Sequence, residues 1–376
     1  MNLPHDDIDP DGLLEYSVVF TDRSLNHMSQ RFLHAMQDLL SVLRTTYHAE
    51  TVAVVPGGGS YAMEAVARQL ATGKRALVIR NGLFSYRWSQ ILAAGRVTDE
   101  VTICAARSVS DAHQAAWQPA PVDEVVQAIR EHRPEIVFAP HVETASGIVL
   151  PDDYLRAVSA AVHEAGGLFV LDCVASGALW VDMTELGVDV LITAPQKGWS
   201  GTPCAGYVML GDAGRAAVSA STSTSFAMDL ATWLSISESY VEGATPYHAT
   251  LPTDGLAHNA ALMLEARDIG LEKLRDAQVE LGSKVRDVLA GAGFRSVAAD
   301  GFASPSVVVV HTDDPELKSG AAFKRVGLQV AAGVPLHCGE PGDFSSFRLG
   351  LFGLDKLTDV NGTVGRFESA LRRLGS

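Results

Sequence analysis

The stretch from residue 168 to residue 200 reads LFVLDCVASGALWVDMTELGVDVLITAPQKGWS. It contains two short, mostly apolar runs, LFVL at 168–171 and VLIT at 190–193, and polar or glycine-rich residues follow each run. Such runs are typical of strands that are buried on both faces, as in a parallel sheet. The stretch therefore predicts two neighbouring strands that carry Asp172 and Lys197 to the same edge of a sheet.

Further runs of this kind precede and follow the stretch. Between them lie helical patterns, such as YAMEAVARQLA (61–71) and VDEVVQAIREH (122–132), in which the apolar residues share one face. Alternation of strands and helices predicts an α/β fold with a mostly parallel sheet that helices flank. The other predicted strands are TVAVV (51–55), ALVI (76–79), IVFA (136–139) and GYVML (206–210).

The pattern changes after about residue 255. Helical patterns at roughly 254–269 and 271–291 lead into the strand-like segments SVVVVHT (306–312), LQVAAGV (328–334) and FRLGLFG (347–353), and a last helix is predicted near 359–374. This predicts a smaller α+β domain. We expect an N-terminal arm at 1–20, a large domain at 21–255 and a small C-terminal domain at 256–376.

Composition excludes several classes of function. The 376 residues include 44 acidic and 29 basic side chains, so the net charge of −15 disfavours nucleic acid and anionic membrane surfaces as partners. Any anion must be attracted by a local pocket. No long uncharged apolar segment and no signal-peptide pattern occurs, which predicts a cytoplasmic protein without membrane contact. The four cysteines lack zinc-type spacing, so we expect no metal site.

Five polar or glycine-rich segments directly follow predicted strands. Ligands of parallel sheets gather at the carboxyl ends of the strands, so we expect these segments to meet at one edge. They are PGGGS (56–60), RNGLFSYR (80–87), HVETASG (141–147), DCVAS (172–176) and APQKGWS (194–200).

Three features of these segments carry chemistry. Lys197, with the aromatic Trp199 close by, could serve as a nucleophile towards a carbonyl group. Asp172 needs a cation or several donors if it ends a buried strand. The glycine turn before residue 60 exposes backbone N–H groups and the positive end of a helix to a phosphate. Each feature alone is also compatible with a solvated lysine, a helix cap or a generic turn.

The order of these motifs resembles that of class V aminotransferases, which are fold-type I enzymes that depend on pyridoxal 5′-phosphate (PLP). The resemblance runs from about residue 50 to the C-terminus and is greatest with the alanine/serine–glyoxylate aminotransferase group. It implies that Lys197 forms a Schiff base with PLP, that Asp172 pairs with the pyridine nitrogen, and that Lys197 and Asp172 are the catalytic residues.

The resemblance also implies the other contacts of the cofactor. Phe84 would stack on the ring, Val174 would pack against its other face, and Thr144 would donate to the phenolic oxygen. Arg348 would bind the carboxylate of the substrate, for which its planar guanidinium is suited. The residues implied at the phosphate are Gly58, Gly59, Ser60 and Gln196.

Two further segments concern assembly and substrate. PYHATLP (246–252) is similar to a family segment that crosses a dimer interface, which implies a homodimer in which Tyr247 and Thr250 contact the phosphate of the neighbouring subunit. The segment EYSVVFTDRSLNHMS (15–29) departs from the family pattern, so we expect Tyr16, Ser17 and His27 to shape the substrate pocket.

The resemblance therefore implies a PLP-dependent aminotransferase. With no second arginine in a recognisable motif, we expect alanine or serine as amino donor and glyoxylate or pyruvate as acceptor. Two alternatives remain open: a lyase of the cysteine desulfurase type that uses Cys338 beside His337, and a PLP- or nucleotide-binding protein without turnover. His141 is a further candidate because it adjoins the Thr144 motif.

Overall fold

The computed structural model describes residues 7–10 and 12–374. Its strands, numbered in chain order, are β1 (Thr51–Pro56), β2 (Ala76–Arg80), β3 (Val101–Ala105), β4 (Arg107–Ser108), β5 (Trp117–Gln118), β6 (Ile136–Pro140), β7 (Leu168–Asp172), β8 (Val190–Thr193), β9 (Ala205–Leu210), β10 (Val307–His311), β11 (Ala331–Ala332) and β12 (Ser346–Gly350).

The helices of the described residues lie between and after these strands. They are α1 (Gln30–Tyr47), α2 (Gly59–Leu70), α3 (Leu83–Ala94), α4 (Val122–His132), α5 (Asp152–Ala165), α6 (Met183–Leu186), α7 (Asp212–Ser219), α8 (Leu230–Val241), α9 (Thr253–Ile269), α10 (Leu271–Gly291), α11 (Pro315–Ser319), α12 (Ala321–Arg325), α13 (Leu354–Thr358) and α14 (Val360–Leu374).

A mostly parallel sheet forms the centre of the molecule. Within the described residues it has seven strands in the order β1-β9-β8-β7-β6-β2-β3. β9 runs antiparallel to both of its neighbours, and the other adjacent pairs are parallel. The predicted α/β fold with a mostly parallel sheet is confirmed. The structure adds the edge strand β3, which the sequence pattern did not indicate.

Local sequence explains how the helices begin around this sheet. Ser29 starts α1, since its hydroxyl accepts a hydrogen bond from the N–H of Phe32, and the Asp229 carboxylate does the same for α8 with the N–H of Thr232. Their apolar faces are buried, with α1 against α9 and α8 against β1. These contacts complete the core around the central strands.

A second, antiparallel sheet lies in the C-terminal part. Its described strands follow the order β10-β12-β11, and α10 packs on β10 and α14. The segment LQVAAGV contributes only the two residues of β11. A hydrophobic cluster joins this sheet to the loop after β6, where Ala145 and Ile148 pack with Val307 and Val309.

The domain limits stay a prediction. The expected boundary at residues 255 and 256 falls inside the first turn of α9. In residues 7–10 and 12–374, no helix combines the length and the apolarity that a bilayer crossing requires.

We predict that the central strands dominate stability. Val78, fully buried in β2, loses two methyl groups in Val78→Ala, which should lower the free energy of unfolding by about 2 kcal/mol. Val279→Ala changes a half-exposed helical position and should stay within about 0.5 kcal/mol of the wild type. Denaturant titration followed by circular dichroism measures both; equal losses would contradict the prediction.

Candidate active site

The five polar segments meet at one edge of the central sheet, as their positions after strands predict. β6, β7 and β8 are parallel neighbours, with Pro140 opposite Asp172 and Asp172 opposite Ile192. β2 is parallel to β6. β1 points the same way, because β9 is antiparallel to both β1 and β8. The glycine turn, the Asp172 loop and the Lys197 loop therefore share this edge.

The turn that follows β8 holds Lys197. Its backbone is closed by a hydrogen bond of 3.1 Å from the N–H of Ser200 to the carbonyl of Lys197. Trp199 is buried against Trp180, with ring centroids 4.5 Å apart. Next to the lysine, Gly198 lies so close to the backbone of Gly177 that a Cβ would overlap its carbonyl oxygen. The Lys197 turn is thus fixed against the loop after β7.

The aromatic ring beside the Lys197 amine is not that of Trp199. Trp199 is turned into the core, and the amine lies 5.0 Å from the ring centroid of Phe352 instead. Phe352 belongs to the FRLGLFG segment, which the sequence indicated for Arg348 alone. Burial lowers the pKa of Lys197; the charge of Asp172 opposes this shift, and the charges of Arg348 and Arg87 add to it. The amine is therefore more easily deprotonated than an ordinary lysine.

Asp172 ends β7 with its side chain 8% exposed. One oxygen accepts a hydrogen bond of 2.9 Å from the N–H of Val174. Burial raises the pKa of Asp172 to about 6, an effect that this hydrogen bond and the charges of Arg87 and Lys197 reduce. A buried carboxylate with a raised pKa is stabilised strongly when a cationic partner contacts it.

The glycine turn begins α2 beside the Asp172 loop. A Cβ on Gly59 would contact Val174 Cγ2 at 2.9 Å, whereas one on Gly58 would have nothing within 4 Å. The helix end therefore abuts Val174 and leaves open space over Gly58. Ser60 Oγ accepts a hydrogen bond of 2.8 Å from Arg87 Nη1. Gln196, by contrast, is exposed beside Lys197.

Two arginines lie at the ring of Phe84. Arg348, on β12 of the second sheet, has its guanidinium carbon 5.4 Å from the ring centroid, and its Nε donates to the carbonyl of Ala332 at 2.8 Å. Arg87 approaches the same ring at 5.1 Å. Arg87 was not among the predicted site residues, although residues three apart on a helix share a face and α3 carries both Phe84 and Arg87.

A fully buried carboxylate, Glu143, fixes the start of α3, which bears Phe84. It accepts hydrogen bonds from the N–H groups of Phe84, Ser85 and Ala145 at 3.1, 2.8 and 2.9 Å, and from Ser85 Oγ at 2.6 Å. It thereby caps the N-terminus of α3, where negative charge is favourable. Thr144, half-buried next to it, is positioned by the same network. The acidic residue within the HVETASG motif is the sequence signal that could have indicated this role.

Tyr247 and Thr250 are exposed and hydrogen-bonded to each other at 3.2 Å, and the ring of Tyr247 lies 5.6 Å from that of His27. Tyr16 and Ser17 line a cavity formed by residues 8, 9 and 12–30, separate from the recess lined by Lys197 and Phe352. The chain by itself does not bring these residues to the Lys197 cleft, and their roles stay predictions.

Cys338 lines a different cavity, of about 610 Å³, which Lys197 does not line. Its thiol donates to the carbonyl of Arg80 at 3.4 Å, and burial, with the charges of Glu143 and Glu340, raises its pKa to about 12. His337 stacks on Tyr86 at 4.4 Å. The thiol is therefore held protonated at neutral pH.

His141 lies buried behind the Asp172 loop. Its Nδ1 is 2.8 Å from Ser176 Oγ, and its backbone N–H donates to the carbonyl of Asp172 at 2.8 Å. Burial lowers the pKa of His141 to about 4, so its ring is neutral at physiological pH. His141 supports the position of the Asp172 loop. The described residues contain no group of three or more His, Cys, Asp or Glu side chains placed to hold a metal ion.

Comparison with known proteins fits this geometry. The family model described as "Aminotransferase class-V" matches residues 13–340. The chain belongs to the class V aminotransferase family. Its PLP dependence, a property of the family, accounts for the charged cleft at the sheet edge.

Relatives of this class V aminotransferase span most of its length. The small subunit of a soluble hydrogenase from Synechococcus sp. (strain PCC 6716) is 25% identical over 362 residues, which cover 93% of this chain and 88% of the relative. A 2-aminoethylphosphonate–pyruvate transaminase from Salmonella schwarzengrund (strain CVM19633) is 24% identical, and the match covers 88% of this chain and 86% of the relative. The alanine–glyoxylate aminotransferase structure from Nostoc sp. has a TM-score of 0.76 at 21% identity, and the match covers 94% of this chain and 89% of that structure.

The cleft of this class V aminotransferase fits PLP in three respects. The space over Gly58, at the N-terminus of α2, suits the phosphate. Asp172 is a buried carboxylate with a raised pKa that would gain from a protonated ring nitrogen. The Lys197 amine has a lowered pKa, as a nucleophile for an aldehyde requires.

We predict that the close approach of Gly198 to Gly177 is required for stability and cofactor binding. Gly198→Ala should separate the two loops, lower the free energy of unfolding by about 3 kcal/mol and weaken PLP binding. Gly365→Ala is the control, because its Cβ meets open space in α14. Thermal unfolding and PLP titration measure the effects; wild-type behaviour of Gly198→Ala would contradict the proposed contact.

We also predict a pH signature of Asp172. Its pKa is raised in the folded chain, so its contribution to stability is present at low pH and is lost as the pH rises through about 6. Without cofactor, Asp172→Asn should therefore gain stability relative to the wild type between about pH 4 and pH 7. Thermal unfolding across that range measures the difference. A difference that does not change with pH would show that Asp172 ionises as in water.

Proposed function

We propose that this protein transfers the amino group of a small amino acid, alanine or serine, to a small keto acid, glyoxylate or pyruvate, with PLP linked covalently to Lys197. The observation that carries the proposal is the meeting of three groups in one cleft. Asp172 ends β7 next to β8, whose following turn holds Lys197. The Lys197 amine lies 5.0 Å from the ring of Phe352, which follows the strand that carries Arg348.

Each residue has a distinct task in the proposed reaction. Bound PLP supplies a ring that withdraws electrons from the substrate Cα. Asp172 would accept a hydrogen bond from the protonated ring nitrogen and keep that proton in place. Lys197, whose amine is made less basic by burial, would take the proton from the substrate Cα and deliver it to C4′ of the cofactor.

Arg348 binds the substrate carboxylate. Its Nε is held by the carbonyl of Ala332, which leaves the terminal guanidinium nitrogens for a bidentate contact. The guanidinium carbon lies 5.4 Å from the Phe84 ring centroid, which supports a substrate carboxylate next to a cofactor that would stack on Phe84. Thr144, Val174 and Gln196 complete the proposed cofactor contacts from the neighbouring loops.

Names of similar proteins support small substrates. The Nostoc sp. structure is named for alanine and glyoxylate, and a Bacillus subtilis structure with a TM-score of 0.74 is named for ureidoglycine and glyoxylate. The Salmonella relative is named for pyruvate as its acceptor. Glyoxylate and pyruvate share one carboxylate next to a carbonyl group, which a single arginine at the substrate position can bind.

We further propose that the active form is a homodimer. Apolar side chains of the N-terminal segment are almost fully exposed in the single chain: Leu13, Tyr16 and Val18. Tyr247 and Phe226 are exposed as well. Exposed apolar residues of this number favour burial of the surface against another protein chain. We propose that a second copy of this chain covers it and that Tyr247 and Thr250 then contact the phosphate of the neighbouring subunit.

The state of Cys338 argues against the lyase alternative. Sulfur transfer requires a thiolate, whereas this thiol donates to the carbonyl of Arg80 and its pKa is raised to about 12. It also faces a cavity that Lys197 does not line. The non-catalytic alternative does not explain why Arg348 and Lys197 come together.

We predict that borohydride will fix PLP to Lys197. The wild type should lose its yellow colour, and mass spectrometry should find the reduced cofactor on the Lys197 peptide. Lys197→Ala should lose both the adduct and at least about 10³-fold of the transamination rate, while Lys284→Ala, an exposed control, should keep them. Mixing the yellow enzyme with alanine, serine or glutamate then identifies the donor by conversion to the pyridoxamine form.

Two results would contradict this function. A bound cofactor that no amino acid converts would exclude transamination. Release of sulfide from cysteine that Cys338→Ser abolishes would establish the lyase instead.

A further inference from the structure

We propose that Arg87 is the side-chain cation that binds the phosphate of the cofactor. The proposal rests on the proposed function, because it requires that PLP occupies the Lys197 cleft. It also goes beyond that function, since the motif pattern implies only the glycine turn, Gln196 and the partner subunit at the phosphate.

The position of Arg87 connects the ring site with the phosphate site. It lies on α3 three residues after Phe84, and its guanidinium carbon is 5.1 Å from the centroid of that ring. Its Nη1 donates to the hydroxyl of Ser60 at 2.8 Å, in the first turn of α2. A cofactor that stacks on Phe84 and has its phosphate at the glycine turn would therefore lie next to this guanidinium.

The charge of Arg87 is not neutralised by the chain. Among residues 7–10 and 12–374, no carboxylate lies within 4.0 Å of it, and the hydroxyl of Ser60 carries no charge. Its charge nevertheless acts in the cleft, where it adds to the lowering of the Lys197 pKa and reduces the rise of the Asp172 pKa. A guanidinium has five N–H donors, so most remain for an anion after the bond to Ser60.

A phosphate dianion requires such a group in this protein. The net charge of −15 opposes the approach of any anion, and the N-terminus of α2 offers the equivalent of only about half a positive charge. Lys197 is committed to the covalent link, and Arg348 is held at Ala332 on the second sheet. Arg87 is the cation that already contacts the turn.

The test compares PLP with pyridoxal, which lacks the phosphate, on the cofactor-free protein. Arg87→Gln should raise the dissociation constant for PLP about 30-fold, because a charge-assisted bond to phosphate is lost, and leave that for pyridoxal unchanged. Arg68→Gln, an arginine of α2 paired with Glu64, is the control and should change neither constant. Absorbance titration gives both constants without measuring turnover.

Several outcomes would overturn the proposal. These are an unchanged constant for PLP, an equal loss of PLP and pyridoxal, or unchanged cofactor binding with a raised KM only for dicarboxylic amino acids. If Arg87→Gln does not fold, Arg87→Lys keeps the charge but not the planar fork, and the preference for PLP over pyridoxal should fall about threefold; an unchanged preference counts against it. Failure of the wild type to bind PLP would overturn the proposed function as well.

Discussion

The separation of the Lys197 amine from the Asp172 carboxylate is the constraint on which the cleft depends. The charge of each group affects the pKa of the other, yet in the described part of the chain the two side chains form no ion pair. Burial shifts both towards their neutral forms, with a lowered pKa for Lys197 and a raised pKa for Asp172. The packing of Gly198 against Gly177 holds the two loops at this spacing. An aromatic cofactor with a cationic nitrogen at one end and an aldehyde at the other matches both groups at once.

Much of the fold could be predicted because buried parallel strands have a simple signature. Six apolar runs became β1, β2, β6, β7, β8 and β9, and their ends located the site. β3 was missed because Thr102 interrupts its apolar run and all five of its residues are only half-buried at the sheet edge. The reversed direction of β9 was not predictable either, since a run that is buried on both faces looks the same in both directions.

The residues that sequence reasoning missed become part of the site through tertiary contacts. Phe352, which follows a strand of the second sheet, lies next to the Lys197 amine. Glu143 accepts hydrogen bonds from the N–H groups of Phe84 and Ser85, which are distant from it in the sequence. Arg87 differs, because helical spacing from Phe84 could have indicated it. For Cys338 the sequence left two possibilities, and its buried, hydrogen-bonded thiol now favours a structural role. Motifs located the cleft, while the protonation states required the packed structure.

The place of β1 in the sheet has a consequence for synthesis of the chain. β1 pairs with β9, and its other edge is covered by α8, where Ser237 accepts a hydrogen bond from the N–H of Val54. Both partners leave the ribosome about 150 or more residues after β1. A nascent chain that ends before residue 205 therefore exposes an unpaired apolar strand together with the glycine turn. Chaperone engagement during translation would be expected to concentrate on this interval.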